Sequence, residues 1–189
     1  MSNSVLRIPN AFYLIIDLEA TCSDVGEVPR QEMEIIEIGA VMLDARLFQI
    51  EAEFQTFIKP VRHPLLTDFC KELTHINQED VNGAPVYADA IEELKKWMYE
   101  FDDALFCSWG DYDRKQFEQD CAYHGVAYPF RSGHLNLKAA MAQHLVLPKK
   151  LGIGGAIRRV GLRFEGTAHR GIDDARNIAR IVQQVLGTR

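Results

Sequence analysis

The stretch FYLIIDLEA, residues 12–20, places two carboxylates, Asp17 and Glu19, at the end of an apolar run. Burying charge is costly unless something pairs with it. Residues two apart in a strand share a face, so Asp17 and Glu19 point together while Leu18 turns to the other side. Other acid pairs at this spacing, such as Glu32/Glu34 and Glu51/Glu53, sit in polar stretches. One does not: in LFCSWGDYDRKQF an apolar strand runs out into Asp111 and Asp113 at the start of a helix. Helix capping accounts for either of these alone. In TAHRGIDDARNIARIV, His169 lies in a loop between Gly166 and Gly171, and Asp173 and Asp174 open a helix. A cap explains one of these aspartates, and a solvated loop explains the histidine taken by itself.

The three places together point to one chemistry. Carboxylates gathered at strand ends and a helix start stay ionised only if cations neutralise them, and oxygen-only ligands favour Mg²⁺ or Mn²⁺ over Zn²⁺. Two such ions about 3.5–4 Å apart clamp the attacking and leaving oxygens of a phosphoryl displacement. A neutral imidazole, with an ordinary pKa near ~6.5, can take the proton of an attacking water.

These residues need a scaffold. Residues 12–16, 35–43 and 50–58 read as three strands of a meander, the last half-exposed. Helical spacing follows over 88–101, with Ile91, Leu94, Met98 and Phe101 on one side. A short strand covers 104–109, and helices are expected over 113–124, 136–146 and 172–186, the last burying Ile178, Ile181, Val182 and Val185. A meander followed by α/β alternation is an α/β layer architecture. At 189 residues the chain suits one domain, expected over residues 10–189 after a loose tail of residues 1–9.

No apolar run approaches the ~20 residues of a membrane span, and MSNSVLRIPN lacks the features of a signal peptide. Cys22, Cys70, Cys107 and Cys121 form no CxxC pair, so reduced thiols in a cytoplasmic protein are expected. The net charge of −6 argues against a nucleic-acid partner, but its distribution does not. Residues 1–137 carry 11 Lys+Arg against 24 Asp+Glu, and residues 138–189 carry 10 against 3. Such asymmetry can give an acidic protein a local positive surface.

Asp17-Leu-Glu19, an Asp opening the middle helix, and His169 five residues before Asp174 resemble the motifs of the DEDDh 3′→5′ exonucleases of the ribonuclease-H-like superfamily. IIDLEATC, EIIEIGAV, TDFCKELTHINQEDV and HRGIDDARNIARI are similar to the branch of the enhanced-RNAi and histone-mRNA 3′-exonucleases. The resemblance runs from about residue 10 to the C-terminus. It implies a mixed five-stranded sheet flanked by helices. It selects Asp113 over Asp111 and Asp174 over Asp173, and leaves Asp173 to steady the helix start. It further implies that Asp17, Glu19, Asp113 and Asp174 hold two divalent ions, Mg²⁺ or Mn²⁺, with His169 as general base. By the same resemblance, Leu18, Ala20, Phe69, Leu73, Thr74 and Ile76 line the pocket of the terminal nucleotide. Relatives often carry Gly at the position of His75, and some carry Trp at that of Tyr112.

The expectation is a metal-dependent 3′→5′ exonuclease that releases nucleoside 5′-monophosphates from single-stranded 3′ ends, RNA preferred over DNA, with no membrane partner. Arg158, Arg159, Arg163 and Arg170 are expected on the backbone phosphates. The alternatives are a noncatalytic nucleic-acid or protein adaptor, an endonuclease of the superfamily, and a DNA-directed exonuclease.

Overall fold

The aromatic and β-branched run beginning at Phe12 suits a strand covered on both faces, and it becomes the centre of the sheet. The structure, a computed structural model, describes residues 6–131 and 133–187. Strand β1 (Phe12–Ala20) pairs antiparallel with β2 (Ile35–Asp44), which pairs antiparallel with β3 (Ile50–Phe57). On its other edge β1 runs parallel to β4 (Ala104–Ser108), and β4 runs parallel to β5 (His134–Asn136). The order β3-β2-β1-β4-β5 is the expected mixed five-stranded sheet. β1 extends past its apolar residues, so Asp17 sits inside the ladder opposite Gly39, and Glu19 opposite Glu37.

Seven helices are found among the described residues: α1 (Asp68–Thr74), α2 (Gln78–Asn82), α3 (Tyr87–Met98), α4 (Tyr112–His124), α5 (Leu137–His144), α6 (Ile153–Arg159) and α7 (Gly171–Leu186). α3 and α7 carry a legible apolar period, while α4 and α5 are expected from the residues that stop them, Gly125 and Pro148. α1, α2 and α6 span at most two turns, too few for an apolar period to stand out.

The alternation of β1 divides the core. Tyr13 and Ile15 face α7, packing with Val41, Leu43, Ile178, Ile181 and Val182. Leu14, Ile16 and Leu18 face the other way, toward Ile91 and Leu94 of α3 and Phe117 of α4. Each such side chain contributes about 1.5–3 kcal/mol through burial. Asp17 and Glu19 continue the row of Tyr13 and Ile15 and therefore arrive on the α7 face.

The start of α7 lies directly on the sheet. A Cβ added at Gly171 would stand 2.9 Å from the Asp17 carbonyl oxygen and 3.2 Å from the Gly39 nitrogen. Two glycines facing each other thus let a helix backbone touch the strand pair at the position of Asp17.

Residues 1–5 of the expected tail lie outside the described residues. Residues 6–8 are not loose. Leu6 is fully buried and accepts a 2.6 Å hydrogen bond from the Tyr13 hydroxyl, and Arg7 donates to the Leu186 carbonyl. The four cysteines are free thiols. No helix of the described residues is long and apolar enough to cross a membrane.

Candidate active site

Three remote segments meet at the C-terminal end of β1. β1 supplies Asp17 and Glu19, the first turn of α4 supplies Asp113, and the first turn of α7 supplies Asp174. Together with His169 they line one cavity of about 560 Å³. Asp113 is 4% exposed and accepts a 3.2 Å bond from the Leu18 backbone N–H, which ties α4 to β1. Asp111 stands at the N-cap position of α4 without a side-chain capping bond, lies outside the cavity, is exposed, and accepts from the Asn136 amide at 3.0 Å. Asp174 is 6% exposed and accepts a 2.7 Å bond from the His169 backbone N–H. Asp173 points to the loop, where it accepts from the Thr167 N–H and pairs with Arg176 at 3.1 Å.

His169 is exposed and holds a left-handed backbone conformation, φ 60°. One ligand atom from each of Glu19, His169 and Asp174 lies within 4.8 Å of the others. The carboxyls crowd one another. Burial, then the charges of Asp113, Asp174 and Glu19, holds the Asp17 carboxyl well above the usual carboxylate range. Burial and the charges of Asp174, Glu37 and Asp113 push Glu19 to about 9. Burial also lifts Asp113 and Asp174 to about 6, against the backbone N–H bonds that favour their charged forms. A set of buried oxygens this reluctant to ionise together fits hard divalent cations, which would neutralise it.

The loop carrying His169 is anchored by a residue that the motifs did not single out. Glu37 is fully buried beside Glu19, on the adjacent strand. It accepts from the Gly171 N–H at 3.0 Å, the Arg170 guanidinium at 3.1 Å and the Gln55 amide at 2.6 Å. The signal was present in the sequence: a charge inside the apolar run IIEIGAVML, the same anomaly that marks Asp17. Arg170, expected on phosphate, is instead committed to Glu37 and lies 5.3 Å over the Phe57 ring.

The expected nucleotide pocket divides. Leu18, Ala20 and Leu73 line the cavity. Phe69 is 36% exposed in a separate depression with Leu65 and Thr67. Thr74 and Ile76 are fully buried, so their expected place in the pocket is corrected. The Thr74 hydroxyl donates to the Cys70 carbonyl, and Ile76 packs with Ile36, Leu66 and Val81. Thr74 is on the inner face of α1, and the left-handed turn at His75, φ 56°, ends the helix and leads into Ile76 beside Ile36 of β2. Met33, Trp109, Tyr112 and Phe164 complete the apolar wall without having been expected there.

The family model described as exonuclease matches residues 14–182. Fission yeast (Schizosaccharomyces pombe) 3′-5′ exonuclease eri1 is 31% identical over 92% of this chain and 67% of its own. This chain belongs to the exonuclease family. Its DEDDh, ERI1-type membership is carried by two further likenesses. Human ERI1 exoribonuclease 3 is 35% identical, with 91% of this chain and 52% of that protein covered. The nuclease domain of 3′hExo, a DEDDh family member bound to rAMP, superposes with a TM-score of 0.88 at 29% identity, covering 95% of this chain and 93% of that one. This DEDDh chain spans between 28% and 52% of the length of the human curated relatives it matches. The five residues of the DEDDh motif are the ones brought together in the cavity.

Proposed function

We propose that this chain is a divalent-metal-dependent 3′→5′ exonuclease that prefers RNA and releases nucleoside 5′-monophosphates from single-stranded 3′ ends. The observation that carries the reading is the convergence of Asp17, Glu19, Asp113, Asp174 and His169 on one cavity, from three segments far apart in sequence. The four carboxylates would hold Mg²⁺ or Mn²⁺, two ions in all. Bound there, such ions neutralise charge on a phosphoryl group and make water a better nucleophile.

The chain's own groups do the rest. His169, exposed at the cavity mouth, accepts the proton of the attacking water through its neutral ring. The bond from its backbone to Asp174, and those from Arg170 and Gly171 to Glu37, hold the ring's backbone in place. Leu18, Ala20 and Leu73 give the terminal nucleoside an apolar wall, and Trp109 offers an aromatic face of the kind that stacks on bases. Arg158 and Arg159 are exposed at the end of α6, a helix whose first residues, Ile153 and Gly154, line the cavity. With the exposed Arg163 they suit the backbone leading to the site. The preference for RNA is supported by the relatives named exoribonucleases and by the rAMP of the 3′hExo nuclease domain. A cytoplasmic setting is proposed from the free thiols.

Digestion of matched 3′-labelled RNA and DNA single strands, with Mg²⁺ or with EDTA, tests the reading. Labelled mononucleotides, faster from RNA and absent in EDTA, are expected. Internal fragments would mark an endonuclease, and binding without cleavage an adaptor. His169→Ala is expected to retain metal binding by calorimetry and to slow single-turnover cleavage by about 10²–10⁴-fold. Cleavage at the parent rate would remove His169 from the base role.

A further inference from the structure

The cavity does not end at the carboxylates. Beyond Cys22, Met33 and Tyr112 it continues into a space of about 440 Å³, also lined by Ser23, Val28 and Arg30. Past Tyr112 and Arg30 a further space of about 320 Å³ follows, lined by Gln31, Lys115, Gln116 and Gln119. Tyr112 borders all three spaces, which adjoin one another as a trough of successive depressions along α4.

The chemistry of the extension is opposite to that of its surroundings. Residues 1–137 carry more than twice as many acids as bases, 24 against 11. Yet no carboxylate among the described residues lines either outer part of the trough, and two cations do. Three other cations of this half are ion-paired, Lys71 with Asp68, Lys95 with Glu92 and Arg114 with Glu118. Arg30 and Lys115 have no ion pair among the described residues, and both are exposed.

The trough is also preformed. The side-chain amides of Gln116 and Gln119 both donate to the Met33 carbonyl at 2.8 Å. Asp120, one turn on, accepts from the Ile35 N–H at 2.7 Å. The short 3-10 turn Arg30–Glu32 is therefore fastened to α4, and Arg30 and Lys115 stand on one rigid unit. A groove with unpaired cations, an aromatic ring at its throat and no acids is suited to a polyanionic strand.

We propose that this trough is a second nucleic-acid subsite, in which Arg30 and Lys115 hold backbone phosphates beyond the terminal nucleotide while Tyr112 borders the passage between the two. The inference rests on the exonuclease reading for its substrate, but its test does not need cleavage. The phosphates belong either to the upstream part of the strand being degraded or to a second strand paired with it.

Binding of fluorescent oligonucleotides to R30A/K115A and to the parent, in EDTA and over a salt series, separates the possibilities. Losing two phosphate contacts should weaken binding and reduce the slope of log affinity against log salt by about 1.4 for a single strand. The charge-retaining R30K/K115R should restore the parent slope, and R46A/K96A, which removes two charges elsewhere, should leave it unchanged. In Mg²⁺, the advantage in kcat/KM of a strand of about ten nucleotides over a dinucleotide should shrink roughly tenfold in R30A/K115A. A loss seen with a single strand assigns the phosphates to the upstream chain, and one seen only with an overhanging duplex assigns them to the second strand. Slopes and length dependence like the parent's in a folded R30A/K115A would overturn the subsite and leave the exonuclease reading standing. A lowered slope in R30A/K115A, with a parent that cleaves nothing, would do the reverse.

Discussion

Asp17→Asn is expected to lower exonuclease turnover by about 10³-fold or more, and at the same time to raise the unfolding temperature of the protein in EDTA at alkaline pH. Both effects come from the same crowding. Asp17 is held far above the usual carboxylate range by burial first and then by Asp113, Asp174, Glu19 and Glu37. An acid whose folded pKa exceeds its unfolded value of about 4 favours folding while it is protonated. That contribution is lost as pH rises through the folded value. Here the folded values are about 6 for Asp113 and Asp174 and about 9 for Glu19. Thermal stability of the metal-free parent should therefore decline across the window from about pH 4 to about pH 9. Mg²⁺ or Mn²⁺, binding the folded chain alone, should flatten the decline. The asparagine removes one charge from the cluster, so the stability difference between variant and parent should widen as pH rises. Thermal melts in EDTA and in Mg²⁺, together with the digestion assay, read all three quantities. A parent with no decline over this window, or a variant that keeps full turnover, would refute the shared carboxylate cage.

What the sequence could reveal followed the range over which each signal acts. A strand's period of two is local, so the shared face of Asp17 and Glu19 could be read from neighbouring residues, as could the buried face of α7. The choice between Asp111 and Asp113 was different. It depends on how α4 is rolled against β1, which spacing does not carry; the resemblance selected Asp113, and the bond from Leu18 to Asp113 gives the physical reason. The role of Arg170 was hidden for the same reason: its partner, Glu37, lies 133 residues earlier, so a segmental charge count registered a positive surface where the fold makes a partly buried pair. Thr74 and Ile76 belong to a motif that runs past the pocket. A left-handed residue at position 75 ends α1 and turns the chain into the core at Ile76, and the Gly that relatives often carry there was the one signal of that turn. β5 and α6 escaped notice because three and seven residues are too few to carry a period.

Gly39→Ala is the substitution expected to damage the protein most for the fewest atoms added. Gly39 faces Asp17 across the β1–β2 ladder, and the first peptide of α7 rests on it. A Cβ there would overlap the Gly171–Ile172 peptide at well under the 3.0 Å that such atoms respect. The obstacle is backbone, so no side chain can swing aside. Either α7 lifts or β2 retreats, and both movements separate Asp174 from Asp17. Overpacking of this kind costs about 3 kcal/mol or more when the neighbours cannot yield. A displacement near 1 Å at a reacting centre costs on the order of 10²-fold in rate. The lifted helix also strains the bonds that Glu37 makes to Arg170 and Gly171, and with them the loop of His169. Urea unfolding should show the loss of stability, and cleavage at a denaturant-free temperature well below the transition should show the loss of rate. Restoring folding by lower temperature without restoring rate is the expected outcome, since the geometry stays displaced even where the fold survives. An alanine variant as stable and as active as the parent would mean that α7 does not sit on this glycine, and that the approach of Asp174 to Asp17 is set by some other contact.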